Sequence, residues 1–83
     1  MNTSENELLL NLDKLHTTDL GIVRIRRNIS LSADDVVGWC KSMILDMNSS
    51  ITRKGKNWYI DIYNYLITVN CHSYTIITVH MKK

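Results

Sequence analysis

The apolar residues of this chain change their spacing once, at residues 48–50, and this change constrains the fold more than any other feature. Before it, apolar side chains recur every three to four residues, which is typical of amphipathic helices. After it, apolar and polar side chains alternate, which is typical of half-buried strands. With 83 residues, of which 45% are hydrophobic, the chain is long enough for one core but not for two. The sequence therefore predicts a single α+β domain over residues 1–83.

Three helices are predicted before the change in spacing, at about residues 5–15, 18–27 and 32–47. Ser4 and Glu7 fit a capping box for the first helix. Asn28 is the expected left-handed stop of the second helix. Ser32 is the expected N-cap of the third helix, and Asp35 completes its capping box. One stripe of apolar side chains marks the buried face of the third helix: Val36, Val37, Cys40, Ile44 and Met47.

A four-stranded antiparallel meander is predicted over about residues 51–80, against which the helices pack. Alternation places one set of side chains toward the helices: Trp58, Ile60, Ile62, Ile67, Val69, Ile77 and Val79. The opposite face is expected to carry a polar row: Tyr59, Asp61, Thr68, Asn70, Thr78 and His80. Such a row is either the ordinary solvated face of an antiparallel sheet or a binding site, and the sequence leaves both open.

Charge is divided unevenly along the chain. Residues 1–47 contain seven acidic and five basic side chains, whereas residues 48–83 contain one acidic and five basic side chains. The basic second half is where a polyanion would bind. No apolar run is long enough to span a bilayer, and the first residues lack the pattern of a secretory signal. We therefore expect a cytoplasmic protein without a membrane partner.

Neither a metal nor a cofactor is expected. The two cysteines, Cys40 and Cys71, are too few for a disulfide scaffold. Cys71 and His72 resemble half of a metal site, but no other cysteine or histidine stands at ligand spacing from them. A small buried thiol and a surface histidine explain this pair better than zinc does.

Four segments resemble a family of small, functionally uncharacterised bacterial proteins: HTTDLGIVRIRRNI at 16–29, KGKNWY at 54–59, ITVN at 67–70 and SYTIITVH at 73–80. This resemblance covers nearly the whole chain and implies no activity. More distantly, a histidine and arginines on a short helix, a Ser-capped helix and four strands are similar to the barnase/EndoU/RelE-like superfamily of small ribonucleases and toxins. That likeness implies a metal-independent endoribonuclease with five candidate catalytic residues: His16, Arg24, Arg27, Thr78 and His80.

The chemistry of RNA cleavage gives each candidate a role. His16 and His80 are the expected acid–base pair, because histidine changes protonation near neutral pH. Arg24 and Arg27 lie three residues apart on one helical face and suit the negatively charged phosphate. Thr78 shares the sheet face of His80 and is expected to donate a hydrogen bond to the phosphate. Four further residues are expected to bind RNA: Arg26, Lys54, Lys56 and Tyr59.

The sequence also fits other functions. His16 equally suits a link between two helices, and the chain departs from the ribonuclease pattern in having no glutamate at a general-base position. A non-catalytic module is the main alternative, such as a phage or mobile-element inhibitor that binds a host defence protein, or a protein that pairs with an antitoxin. Self-association through exposed side chains is a third, with the expected contacts at Tyr59, Leu66 and Tyr74.

Overall fold

The computed structural model describes residues 3–82, together with the side chains of residues 7–82. Within this part of the chain lie three helices, α1 (Thr3–Leu10), α2 (Asp19–Ile29) and α3 (Val36–Leu45), and a 3₁₀ turn at Leu12–Lys14. They are followed by four strands, β1 (Ser50–Lys54), β2 (Asn57–Ile62), β3 (Tyr65–Asn70) and β4 (Ile76–Met81). The strands form one antiparallel sheet in the order β1-β2-β3-β4. This arrangement confirms the predicted α+β fold.

Side-chain caps determine where α2 and α3 begin. Thr18 Oγ1 accepts a hydrogen bond from Gly21 N at 3.0 Å, and Asp35 Oδ1 accepts one from Gly38 N at 2.8 Å. Each bond satisfies a backbone donor that has no partner inside the helix. The N-cap of α3 is therefore Asp35, and the prediction of Ser32 is wrong, because the residues before Asp35 form an irregular loop instead of helix.

The helix ends also differ from the predicted ones. Helix α2 stops at Ser30, which adopts the left-handed conformation with φ 52°, instead of at Asn28. Helix α1 is shorter than predicted because Asn11 leaves the helical backbone, and its Nδ2 donates to Glu7 O at 2.8 Å. The side chain of Ser4, in the predicted capping box, lies outside the described side chains. None of the helices within residues 3–82 is both long and apolar enough to cross a membrane.

One hydrophobic core lies between the helices and one face of the sheet. The helices contribute buried side chains from Leu8, Ile25, Ile29, Val36, Cys40 and Ile44. The strands contribute Ile51, Trp58, Ile60, Ile62, Ile67, Val69, Ile76 and Val79. Burying one such aliphatic side chain contributes about 1.5–3 kcal/mol. Met47 is not part of the core, contrary to the predicted stripe, because α3 ends at Leu45 and leaves Met47 94% exposed.

A β-bulge in β4 changes which isoleucine enters the core. Thr68 pairs with Thr78 and Val69 pairs with Ile76, so Ile77 is the extra residue on its strand. Ile76 is accordingly 1% exposed and Ile77 is 43% exposed. The prediction that Ile77 faces the core is wrong, because strict alternation is interrupted at the bulge. Alternation resumes at Thr78, so the later residues of β4 keep their predicted sides.

Candidate functional site

The sheet face opposite the core, termed the outer face, carries the polar row predicted from alternation. Strand pairing aligns three rows of its side chains: Ser50, Asp61, Leu66 and His80; Thr52, Tyr59, Thr68 and Thr78; and Lys54, Asn57 and Asn70. All helices that bury side chains within residues 7–82 bury them in the core on the other side. No helix therefore buries its side chains on the outer face, where Thr52, Asp61 and His80 are exposed and Thr68, in the middle row, is 7% exposed.

Helix α2 lies along the edge of β4 and forms a rim of the outer face. Asn28 Nδ2 donates to Thr78 Oγ1 at 3.3 Å and to Val79 O at 3.2 Å. Arg24 lies one turn before Asn28, so the two side chains are neighbours on one helix face. Arg27, three residues after Arg24, is exposed beside them. The rim thus brings Arg24 and Arg27 to the same edge as Thr78.

His16 lies at the opposite end of β4 from His80. Its backbone pairs with Thr75 in an isolated parallel bridge, in which His16 N donates to Tyr74 O at 3.2 Å and Ile76 N donates to His16 O at 2.7 Å. His80 follows Thr75 by five residues, or about 17 Å along a strand. An acid and a base must each lie within hydrogen-bond reach of the reacting phosphate. The structure therefore does not bring the two histidines together as an acid–base pair.

A chain of hydrogen bonds runs from the ring of His16 to the turn before β4. His16 Nδ1 lies 2.9 Å from Lys14 O, and because a carbonyl only accepts, Nδ1 carries a proton. His16 Nε2 lies 3.2 Å from Thr75 Oγ1, which lies 2.7 Å from Ser73 Oγ. Ser73 Oγ in turn lies 3.2 Å from Asn70 Oδ1. No local sequence pattern predicts the contact between His16 and Thr75, because these residues are 59 positions apart.

Basic residues lie at the same end of the sheet as this hydrogen-bond chain. Cys71 N donates to Lys56 O at 2.8 Å, so the β1–β2 turn and the β3–β4 turn meet at one end of the sheet. Lys54 and Lys56 are exposed there. Lys14 Nζ lies 5.6 Å from the centroid of the Tyr74 ring. This end of the sheet, termed the hairpin end, consists of residues 54–57 and 70–75 with Lys14 and His16.

The remaining predicted RNA-binding residues have separate positions. Arg26 Nη2 donates to Ala33 O and to Asp34 O, each at 3.1 Å, so its guanidinium holds the loop before α3 and is not at the rim. Tyr59 is half-buried in the middle of the outer face, and its hydroxyl accepts a hydrogen bond from Asn57 Nδ2 at 3.4 Å. Of the predicted RNA-binding residues, Arg26 alone has contacts that suggest a structural role.

Electrostatics favour an anion on the outer face over a metal ion. Asp61 is the one carboxylate in the three rows of the outer face, and it forms an ion pair with Lys82. Within the described residues, no three histidine, cysteine or acidic side chains form a group that could hold a metal ion, and no enclosed pocket is present. The site is therefore an open surface and not a cleft. On the other side of the sheet, in the core, burial raises the pKa of the Cys40 thiol to about 12, with a further contribution from Asp35.

Comparison with known proteins supports the nearer of the two resemblances. A family model described as "Protein of unknown function (DUF3781)" matches residues 9–80, which include α2, α3 and nearly the whole sheet. No curated protein and no solved structure matches the sequence. The predicted membership of a family of uncharacterised proteins is confirmed by this match. The chain belongs to the protein family of unknown function DUF3781.

Proposed function

We propose that this protein binds single-stranded RNA along its outer face, between the α2 rim and the hairpin end. One observation carries the proposal: a polar sheet face without a helix over it has exposed cations on two sides. Arg24 and Arg27 stand on the rim, and Lys54 and Lys56 stand at the hairpin end. Clustered arginine and lysine side chains are the electrostatic footprint of a nucleic-acid site.

The shape of the surface favours a single strand over a duplex. The outer face is a sheet and offers no helix or ribbon that would enter a groove. Tyr59 lies in its middle, where an aromatic ring would stack with a base. The length from His80 to Thr75 is about 17 Å, which suits about five stacked nucleotides. Asp61 is held by Lys82 and so adds little repulsion toward phosphate.

A more specific possibility is that the protein also cleaves the RNA that it binds, as a barnase/EndoU/RelE-like relationship would imply. His80, with Thr78 two residues before it on the same sheet face, would be the centre of this cleavage site. The separation of His16 from His80 along β4 favours binding over a two-histidine mechanism. Binding is therefore the function that we propose, and a cytoplasmic location, where single-stranded RNA is abundant, is part of the same proposal.

The proposal is tested by the salt dependence of binding to a labelled single-stranded RNA of about ten nucleotides, measured by fluorescence anisotropy. If the four cations each contact a phosphate, log K falls with log salt at a slope of about −2.8 between about 50 and 200 mM salt. Arg24→Gln is expected to reduce this slope by about 0.7. Lys41→Gln removes a positive charge from α3, on the other side of the sheet, and is expected to leave the slope unchanged.

Two outcomes would overturn the proposal. One is the absence of measurable binding at the lowest salt concentration. The other is an equal effect of Arg24→Gln and Lys41→Gln, which would mean that only net charge matters. A denaturing gel of the same samples tests cleavage. RNA fragments that disappear in His80→Ala, while binding persists, would support the ribonuclease form.

A second candidate function is a non-catalytic protein-binding module, and a separate surface favours it. Leu45, Met47 and Tyr63 are 63%, 94% and 58% exposed. They lie together because Tyr63 Oη donates to Asp46 Oδ2 at 3.0 Å, between the two apolar residues of the α3 end. Exposed apolar clusters are typical of contacts with another protein. A purified host protein or antitoxin that binds this surface should no longer bind the Met47→Glu variant and should still bind the Arg24→Gln variant.

A further inference from the structure

We propose that the hydrogen-bond chain formed by Ser73, Thr75 and His16 recognises the ribose 2′-hydroxyl, so that the hairpin end selects RNA over DNA. This inference rests on the proposed function, because it assumes that a nucleic acid lies on the outer face. It adds a chemical basis for distinguishing two polyanions that have the same phosphates. Arginine and lysine side chains alone do not make that distinction.

The chain can be satisfied in two opposite directions. With a neutral ring, His16 Nε2 accepts from the Thr75 hydroxyl, and Thr75 Oγ1 accepts from Ser73. With a protonated ring, Nε2 donates to Thr75, Thr75 donates to Ser73, and Ser73 donates to Asn70 Oδ1. Each hydroxyl has only one proton, so in the first direction Ser73 donates to Thr75 and not to Asn70, whose Oδ1 keeps its hydrogen bonds from His72 N and Ser73 N. In the first direction the exposed Ser73 Oγ, which accepts from Thr75 N, has one lone pair left for a ligand; in the second it can turn its proton from Asn70 Oδ1 toward a ligand.

This adaptable end matches the chemistry of a ribose. The 2′-hydroxyl is both a donor and an acceptor, and it is the group that distinguishes RNA from DNA at a given site. Phosphate oxygens only accept, and deoxyribose has no group at this position. Lys56 lies beside the turn that carries Ser73, because Cys71 N donates to Lys56 O. The hairpin end thus offers a cation for a phosphate next to hydroxyls for the adjoining ribose.

The turn also holds Ser73 in place before any ligand arrives. Asn70 Oδ1 accepts from His72 N at 2.9 Å and from Ser73 N at 3.0 Å. Tyr74 adopts the left-handed conformation with φ 60°, which is uncommon for a residue with a side chain. Its ring lies 5.5 Å from that of the buried Trp58, and this contact supports the conformation. A preformed turn lowers the entropy that ligand binding would otherwise cost.

The experiment compares the dissociation constants of an RNA and a DNA oligonucleotide of the same sequence, at one salt concentration. One or two hydrogen bonds to the 2′-hydroxyl give the wild-type protein an expected preference for RNA of about five- to tenfold. Ser73→Ala should remove most of this preference and leave DNA binding unchanged. Ser32→Ala, an exposed serine in the loop before α3, is the matched control and should change neither constant.

Variants of Thr75 separate a lost contact from a lost fold. Thr75→Val interrupts the hydrogen-bond chain and should lower RNA affinity alone, whereas Thr75→Ser keeps the hydroxyl and should keep the preference. A misfolded variant would lose DNA binding as well. If the wild-type protein binds both oligonucleotides equally, the inference is overturned and the proposed function stands. If it binds neither, the proposed function itself fails.

Discussion

Alanine substitution of two neighbouring isoleucines tests the bulge in β4, on which the positions of Thr75 and His16 depend. Strict alternation would bury Ile77 and expose Ile76. The structure has the reverse arrangement, with Ile76 1% exposed and Ile77 43% exposed. Because the two side chains are identical and adjacent, any difference between the two variants reports their environment and not their chemistry.

The expected losses of stability differ several-fold. Replacing a fully buried isoleucine by alanine removes its transfer free energy and leaves a cavity, so Ile76→Ala should cost about 2–5 kcal/mol. Ile77 already has much of its side chain in water, and Ile77→Ala should cost less than about 1 kcal/mol. A chain of this length is stable by about 4–12 kcal/mol. If Ile76→Ala does not fold, Ile76→Val, which should cost about 0.5–1.5 kcal/mol, is compared with Ile77→Val, which should cost less.

Urea unfolding followed by tryptophan fluorescence measures these losses, since Trp58 is fully buried and changes its environment on unfolding. The expected midpoints fall in the order wild type, Ile77→Ala and Ile76→Ala, with an unchanged dependence on urea concentration. A larger loss for Ile77→Ala than for Ile76→Ala would refute the bulge. It would also remove the basis for pairing Thr75 with His16, because the residues before the bulge would then change sides of the sheet.

The side chains of Cys40, Asp46 and Asn28 each allow a further test of the structure. Burial raises the pKa of the Cys40 thiol to about 12. This thiol should therefore react with a disulfide reagent at pH 8 about a thousandfold more slowly than an ordinary thiol. Equal reaction rates would contradict its burial. Hydrogen bonds from the backbone of Asn48 and the hydroxyl of Tyr63 lower the pKa of Asp46. The stability that these hydrogen bonds add is therefore present at neutral pH and is lost as the pH falls through the lowered pKa. Tyr63→Phe should move that pKa back toward its ordinary range in an NMR titration, and no movement would refute the contact. Asn28→Ala removes two hydrogen bonds between α2 and β4 and should lower the free energy of unfolding by about 1–2 kcal/mol in urea; a loss within error would mean that this contact does not hold α2 in place.

Much of the fold could be predicted because its signals are local. Gly55, with φ 62°, forms the β1–β2 turn that its sequence context indicates. The alternation through β2 correctly identifies the buried strand face. The start of α3 could not be predicted in the same way, because both Ser32 and Asp35 are good N-caps. Arg26 of α2 donates to two carbonyls of the loop before α3. This contact between two separate elements is present where α3 is capped by Asp35 and not by Ser32, and no pattern within either element indicates it.

The candidate site shows the same limit more strongly. Arg24 and Arg27 could be grouped from helical spacing, but their approach to Thr78 depends on how α2 meets the edge of β4. The register of β4 places His80 on the outer face, as alternation predicts. The contacts of His16 depend instead on a backbone bridge to Thr75, which no pattern within either segment indicates. Pairing between distant segments therefore decided which histidine joins which part of the surface.

That bridge also limits what His16 can do to a bound RNA. A general base must come within hydrogen-bond distance of the proton that it removes, yet the Nε2 of His16 is already 3.2 Å from the hydroxyl of Thr75. A ribose must either displace that hydroxyl, at a cost of about 0.5–1.5 kcal/mol, or contact the ring through Thr75 and Ser73. The second route keeps the hydrogen bonds that join His16, Thr75 and Ser73. We therefore expect His16→Asn to reduce the preference for RNA by no more than Ser73→Ala does, in the same comparison of RNA and DNA affinities. A larger effect of His16→Asn would mean that the imidazole contacts the RNA directly.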